Sequence, residues 1–296
     1  YGVGENGYQS RMNGDWVSGP ETLTSEELGS NRCDFDKDLY ENDLVTTEYF
    51  QSRNPDWNKV EVPMLTCSNW GGQGLHPRGN FEAYTQAASK QKWLEVHGKE
   101  HWTEFYTDYG INIQKLFFAH FLKNENNGWD KRPRVQLQVR HPGEKFVERF
   151  EQDWPLPSTN WTKYYLNYEN MTLDETVPSN LQTISYDPMG DGVTLTTKPL
   201  QQEMEVTGPM AAKLYVSSES VDADLFLVVR AFYPDLKEVV FKGALDPHTP
   251  IAQGWLRASH RKLDDSLTRP DRPYHTHDEK QPLNPGEIYE LDIEIW

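Results

Sequence analysis

The sequence predicts a two-part fold in which an α/β sheet precedes an all-β sandwich. Up to about residue 124, short continuous apolar runs alternate with segments of helical period. After residue 128, apolar and polar residues alternate in short runs that turn-forming clusters separate. The length of 296 residues is sufficient for two domains. We therefore predict domains at residues 1–128 and 129–296.

The first part begins with a long stretch, residues 1–58, that is rich in Gly, Asn, Asp and Glu and has few periodic apolar positions. We interpret it as a lid-like insertion with short helices. Residues 62–67 predict a buried parallel strand, residues 79–90 a helix, and residues 92–96 a second strand. Residues 108–122 predict a helix capped by Asp108, because their apolar residues recur at helical spacing.

The second part shows clean alternation at residues 135–139, 212–216 and 225–229. Turn-forming pairs, such as Pro142-Gly143 and Gly208-Pro209, separate the runs. Alternation places apolar side chains on one face of each strand, which is typical of strands that pack face to face. The pattern predicts an antiparallel β-sandwich.

Composition excludes several classes of function. A formal net charge of -17 repels phosphate backbones, so we expect no nucleic-acid partner. No apolar run approaches the ~20 residues of a membrane span, so we expect no membrane-embedded segment. The two cysteines, Cys33 and Cys67, form neither a disulfide framework nor a CxxC pattern. Their number favours a reducing, cytoplasmic compartment, and the apolar run around Cys67 predicts a buried thiol.

Linked blocks recur through the second half, at residues 208–218, 222–226, 243–245, 254–259, 282–288 and 293–296. In order and spacing over residues 133–296 they resemble the C-terminal β-sandwich of the X-Pro dipeptidyl-peptidase and cocaine-esterase (CocE/NonD) family of serine hydrolases. The resemblance implies a partial α/β-hydrolase domain followed by a jelly-roll-like antiparallel β-sandwich. The family domain continues with more strands, so we expect this one to be truncated.

The first half resembles the same family around its catalytic histidine. There, a strand leads into a Gly-Trp-any-Asp turn, a helix opens with Arg-Gly, and the next strand leads into a loop that ends in the histidine. The corresponding residues here are Asn69-Trp70-Gly71-Gly72, Arg78-Gly79 and the segment 96–101. The resemblance implies that His101 is the catalytic general acid/base. His97 is closer to the strand, and we interpret it as structural.

The rest of a catalytic triad is missing from this pattern. The aspartate of the family falls at or near Gly72, and no Asp or Glu occurs between Val62 and Phe81. Three explanations of the missing acid stay open. The acid comes from elsewhere, the histidine works without an acid, or this subgroup is catalytically weakened. Glu100 neighbours His101, but adjacent loop side chains often point apart. Glu82 opens the helix after the turn, and we interpret it as a surface residue.

The serine nucleophile is also missing, because no Gly-any-Ser-any-Gly elbow occurs in the sequence. We expect the elbow on a preceding segment or on a separate protein, and we expect the chain alone to be inactive. The function that the resemblance implies is hydrolysis of a small acyl ester or peptide through an acyl-Ser intermediate. The alternative is a non-catalytic β-sandwich that serves as a binding or interaction module.

Two further sets of side chains were candidates for binding. Trp70 lies at the mouth of the expected site, where it either lines an apolar substrate pocket or simply packs. His275 and His277 share a face if they lie on a strand, but no third ligand is evident, so we interpret them as a solvated loop and expect no metal site. No organic cofactor is implied.

Overall fold

The computed structural model describes residue 26 and residues 35–99, 102–243, 246 and 248–296. The chain divides into two compact units, Tyr1–Asn54 and Pro55–Trp296. In the first unit, the described residues form two short helices, α1 (Phe35–Glu41) and α2 (Glu48–Gln51). The predicted domain boundary at residue 128 falls within the second unit and stays a prediction.

The second unit contains two longer helices, α3 (Pro77–Gln86) and α4 (Asp108–Lys123). Both confirm the predicted helical segments. The cap of α4 is Thr107 and not Asp108: the side chain of Thr107 accepts a hydrogen bond from the backbone N–H of Gly110. Short 3-10 turns occur at Trp57–Lys59, Glu104–Tyr106, Trp129–Lys131 and Ala258–His260.

A four-stranded sheet forms the centre of this unit. Its strands are β1 (Met64–Asn69), β2 (Lys92–His97), β3 (Val135–His141) and β4 (Lys145–Glu151), in that order across the sheet. The first three run parallel, and β4 is antiparallel to β3. The interpretation of residues 135–139 as a strand of the sandwich is therefore wrong. The alternating pattern suggested a strand with one solvent-facing side. Gln136 and Gln138 are instead buried, and their side chains are hydrogen-bonded.

The two helices cover opposite faces of the sheet, as expected for parallel strands. On the α3 side, Phe81 and Tyr84 pack with Leu94, Val96 and the adjacent residues of β3. On the α4 side, the core consists of Trp93, Ile113, Phe117 and Trp129. Consecutive residues of β2 thus enter different cores: Trp93 packs on the α4 side, and Leu94 and Val96 pack on the α3 side.

Beyond β4 the described residues contain short antiparallel strands that long irregular segments connect. A small hairpin pairs β5 (Tyr165–Asn167) with β6 (Thr172–Asp174), and β9 (Ala231–Phe232) pairs with β10 (Glu238–Val239). Two longer pairs are β7 (Met210–Val216) with β12 (Tyr289–Ile295) and β8 (Asp224–Val229) with β11 (Ala252–Arg257). These two pairs share one hydrophobic core, built from Leu225, Leu256, Ala258, Leu283, Leu291 and Ile293.

The prediction that Cys67 is a buried thiol is wrong, because its side chain is exposed. Cys67 lies on β1, which is the end strand in the sheet order and pairs only with β2 among the described residues. An end strand lacks the neighbour that covers side chains in a central strand. In the part of the chain that the structure describes, no helix is long and apolar enough to cross a bilayer.

Candidate active site

The carboxyl ends of the three parallel strands meet at one edge of the sheet. There β1 ends at Asn69, β2 at His97 and β3 at His141. Ligands of α/β proteins bind outside this edge, on the loops that follow the strands. The loop after β2 carries the expected catalytic histidine. Glu100 and His101 lie outside the described residues, so the role of His101 stays a prediction.

The first residues of this loop are held tightly by buried amides. The Asn69 Nδ2 donates to the carbonyl oxygens of Gly98 and Lys99, at 2.8 and 2.9 Å. The Gln138 Oε1 accepts from the Gly98 N–H at 3.1 Å. A Cβ on Gly98 would lie 1.9 Å from the ring of Phe146, so a larger residue here would displace that ring. Lys99 adopts a left-handed backbone with φ of 61°.

The far end of the loop is held by a buried carboxylate, Glu104. Its Oε2 pairs with the Lys99 Nζ at 3.0 Å, and its Oε1 accepts from the Gln138 Nε2 at 3.3 Å. Gln138 thus connects the start of the loop to its end. A Cβ on Gly110 would lie 2.0 Å from the carbonyl oxygen of Glu104, so this turn sits directly against the start of α4.

A second buried carboxylate lies on β2 itself. The Glu95 Oε2 is 2.8 Å from the His97 Nδ1, and its Oε1 accepts from the Tyr109 hydroxyl at 3.0 Å. Glu95 and His97 are 2% and 8% exposed, so water hardly competes for these contacts. Burial and the neighbouring Glu95 raise the pKa of Tyr109, which keeps its hydroxyl protonated as a donor. Glu95 is not among the predicted site residues, although a carboxylate between the apolar residues Leu94 and Val96 is a usable signal.

Trp70 directly follows β1 and packs into the core on the α3 side. Its indole Nε1 donates to the carbonyl oxygen of Gln138 at 2.8 Å. The ring centroid lies 6.1 Å from that of Phe81 and 6.4 Å from that of Trp154. These contacts account for the position of the ring, and its role as a pocket wall stays a prediction.

The turn after Trp70 has little room for the aspartate of the family. The Gly72 N–H donates to the carbonyl oxygen of Asn69 at 3.1 Å, and a Cβ on Gly72 would lie 3.1 Å from the Pro77 Cδ. A Cβ on Gly71 would lie 2.6 Å from the Cα of Gly243. Backbone therefore excludes a side chain at Gly71, whereas a side chain at Gly72 would require Pro77 to shift by a few tenths of an ångström.

The interpretation of Glu82 as a surface residue is wrong. Its side chain is buried, and its carboxylate contacts the guanidinium of Arg272 and the amide of Gln86. Arg272 also pairs with Glu294 of β12 at 3.2 Å. A buried carboxylate requires such a partner, and the arginine comes from a distant segment that sequence spacing did not indicate.

One backbone carbonyl of the β-rich residues accepts hydrogen bonds from two side chains near the carboxyl edge. The oxygen of Ile251 accepts from the Gln73 Nε2 at 3.0 Å and from the Arg140 Nη2 at 2.9 Å. The Arg140 guanidinium lies 4.4 Å from the ring centroid of Phe241. Burial lowers the pKa of Arg140 to about 10. This contact places a loop of the β-rich part beside the loops of the sheet edge.

The predicted solvated loop around His275 and His277 is instead half-buried. The two ring centroids are 5.8 Å apart, and the His277 Nδ1 lies 3.1 Å from the Nδ1 of His260. Burial is the main cause that lowers the pKa of His277 to about 4. Within the described ranges, no group of three or more His, Cys, Asp or Glu side chains is arranged to hold a metal ion.

Comparisons with known proteins identify the family. The X-Pro dipeptidyl-peptidase C-terminal non-catalytic domain matches residues 127–296, which is more than half of the chain. A crystal structure of a CocE/NonD family hydrolase from Staphylococcus aureus has a TM-score of 0.84 and 33% identity, and the match covers 89% of this chain and 48% of that one. A cocaine esterase from Rhodococcus sp. is 26% identical over 221 residues, 62% of this chain and 34% of that protein.

A more distant structure, an aminopeptidase from a marine sediment archaeon (Thaumarchaeota archaeon), shares the fold at a TM-score of 0.61 and 16% identity, over 92% of this chain and 50% of that one. The chain thus spans about half the length of the solved relatives and about a third of the cocaine esterase. The chain belongs to the CocE/NonD X-Pro dipeptidyl-peptidase family and carries the C-terminal part of it.

Proposed function

We propose that this chain is the C-terminal part of a serine hydrolase of the acyl-esterase or X-Pro dipeptidyl-peptidase type. In this proposal it combines part of an α/β-hydrolase domain with a jelly-roll-like β-sandwich. The observation that carries the proposal is the loop after β2, which Asn69 and Gln138 anchor at the carboxyl edge of the parallel sheet. Such an edge is where α/β proteins present catalytic side chains.

The proposed reaction proceeds through an acyl-Ser intermediate. A serine Oγ attacks the carbonyl carbon of a small acyl ester or peptide, and a histidine of this edge takes the Oγ proton. The same histidine then gives the proton to the leaving group. The family resemblance assigns this role to His101. Trp70 is the proposed apolar wall of the acyl pocket.

The chain alone lacks the nucleophile elbow, so it should not turn over ester or peptide substrates. We expect p-nitrophenyl butyrate and Ala-Pro-p-nitroanilide to be hydrolysed no faster with the chain than in buffer. Sustained turnover by the isolated chain, unaffected by substitution of both His97 and His101, would contradict the proposed mechanism.

The coding sequence directly upstream of Tyr1 provides the second test. A Gly-any-Ser-any-Gly elbow in that frame predicts that the longer polypeptide hydrolyses both substrates. Substitution of the elbow serine by alanine should then lower kcat at least ~10³-fold. A longer polypeptide that contains the elbow and has no hydrolase activity would refute the proposal.

The second candidate function is a non-catalytic binding or interaction module. It is favoured by the description of the family domain that matches residues 127–296 as non-catalytic. An upstream frame without a hydrolase elbow would support this reading. The same sequencing and expression experiment therefore distinguishes the serine hydrolase from the non-catalytic module.

A further inference from the structure

Residues 262–278 form a hairpin-like arm between β11 and β12 that reaches helix α3. Its two sides are joined at the base, where the Thr276 N–H donates to the carbonyl oxygen of Lys262 at 3.0 Å. Towards its turn, the backbone N–H groups of Arg269 and Arg272 each donate to the carbonyl of the other residue. A segment with its own backbone hydrogen bonds can open locally while the sheets around it stay folded.

The arm is fixed to α3 and β12 by a cluster of ion pairs. The Arg272 guanidinium contacts the Glu82 carboxylate of α3, and its Nε lies 3.2 Å from the Glu294 Oε1 of β12. The Arg78 Nε of α3 lies 3.2 Å from the Oε2 of the same Glu294. Two arginines thus meet around one carboxylate. A further positive charge beside them weakens this arrangement, because like charges repel strongly where water is scarce.

Three imidazoles, those of His260, His275 and His277, lie together at the base of the arm. The Nδ1 atoms of His260 and His277 are 3.1 Å apart, and the ring centroids of His275 and His277 are 5.8 Å apart. The backbone of His277 is left-handed, with φ of 46°, and its neighbours must hold this conformation. Two facing Nδ1 atoms can share one proton but not two. Protonation of both rings on Nδ1 therefore breaks this contact.

The charged groups that face the three rings come from the arm and from three other elements. In the part of the chain that the structure describes, they are Arg78 of α3, Asp224 of β8, Asp278 of the arm, and Asp292 and Glu294 of β12. Asp278 already pairs with Lys262 at 2.8 Å, so its charge is compensated. Burial is the main cause that lowers the pKa of His275 and of His277, the latter to about 4. The docked arm therefore favours uncharged rings.

We propose that the arm is an acid-released element, in which protonation of the histidine cluster at its base detaches residues 262–278 from α3 and β12 while the four-stranded sheet stays folded. In the released arm the rings are hydrated, and the pKa of His277 returns towards its usual 6.5. The released arm then binds the proton more readily, so the docked arm is lost as pH falls from about 6.5 towards 4. The inference does not depend on the proposed hydrolase activity. Because α3 begins directly after the turn that follows β1, release loosens the protein beside the carboxyl edge.

Hydrogen exchange of the intact chain, read by mass spectrometry at pH 7 and pH 5, tests the release. After correction for the intrinsic exchange rate, we expect the protection of arm peptides to fall roughly tenfold at pH 5 and to recover on return to pH 7. Peptides of β2 should keep their protection throughout. Arm protection that does not change with pH would overturn the proposal. So would an equal loss in β2, because the chain would then be unfolding as a whole.

A histidine variant identifies the groups that take up the proton. His277→Asn removes one ring, and asparagine tolerates the left-handed backbone, so the pH effect on the arm should shrink to less than about twofold. His120→Asn, which removes a histidine of α4 outside the cluster, should keep the full effect. If His277→Asn does not fold, His260→Gln removes the other ring of the Nδ1 contact and should give the same reduction. A full pH effect in the folded cluster variant would overturn the proposal.

Discussion

Polar side chains have different structural roles at the carboxyl edge of the sheet and on the outer face of the β7–β12 pair. At the edge, buried amides such as Asn69 and Gln138 bind loop backbone. On the β7–β12 face, Lys213 pairs with Glu290 and Asp292 across the strands at a half-exposed surface. Buried hydrogen bonds are costly to lose and surface ion pairs contribute little, so the edge is the region in which polar residues set geometry.

The largest expected effect comes from the buried ion pairs that join helix α3 to β12. Arg272 contacts Glu82 of α3 and Glu294 of β12, and all three side chains are nearly buried. Arg272→Ala leaves two buried carboxylates without this partner, so we expect a loss of about 3–5 kcal/mol in the free energy of unfolding. Urea titration followed by tryptophan fluorescence measures it.

The matched control for this prediction is Lys213→Ala, which also removes a cation that bridges two carboxylates. Because these groups are half-exposed, we expect a loss below ~1 kcal/mol. Equal losses in the two variants would contradict the expected difference between buried and surface ion pairs.

An intermediate effect is expected at the sheet edge itself. Asn69→Ala removes two hydrogen bonds to the carbonyls of Gly98 and Lys99, and we expect a loss of about 1–3 kcal/mol. Hydrogen exchange in the following loop should accelerate with it. Gln114→Ala is the control, because the Gln114 amide also donates to two carbonyls, of Phe105 and Gly110, but at a half-exposed position. If hydrogen exchange in this loop is unchanged in Asn69→Ala, the Gln138 contact alone is sufficient to hold the loop.

The smallest effect is expected from pH, at the histidine cluster of the β-rich part. Burial mainly lowers the pKa of His277 from 6.5 to about 4, with contributions from His275, His260 and Arg78 that outweigh Asp278. The unfolded chain therefore binds this proton more readily, so stability is lost as pH falls from about 6.5 towards 4. We expect a loss on the order of 1 kcal/mol, since the ring is partly hydrated.

Thermal unfolding at several pH values between 7 and 4.5 measures this dependence. His277→Gln should flatten it, whereas His120→Gln, at an exposed position on α4, should not. A steeper fall in His277→Gln would show that another group controls the acid sensitivity.

The helices α3 and α4 and the parallel strands β1 and β2 were predictable because the spacing of their apolar residues reports burial. The stripe of α4 and the apolar residues of β2 both reflect packing against a core. The same reasoning failed for β3, where Gln136 and Gln138 look solvent-facing in sequence but are buried with partners. It also failed for Glu82, whose partner Arg272 lies far away along the chain.

The sequence by itself determined the family resemblance, the glycine where the family has an aspartate, and the lack of a nucleophile elbow. Only the tertiary structure decided which carboxylate meets which basic group, as in the pairs Glu95 with His97 and Glu82 with Arg272. The physical reason is that periodicity along the chain fixes which face a residue occupies. The partner it meets there depends on how distant segments pack and on which buried charges must be paired.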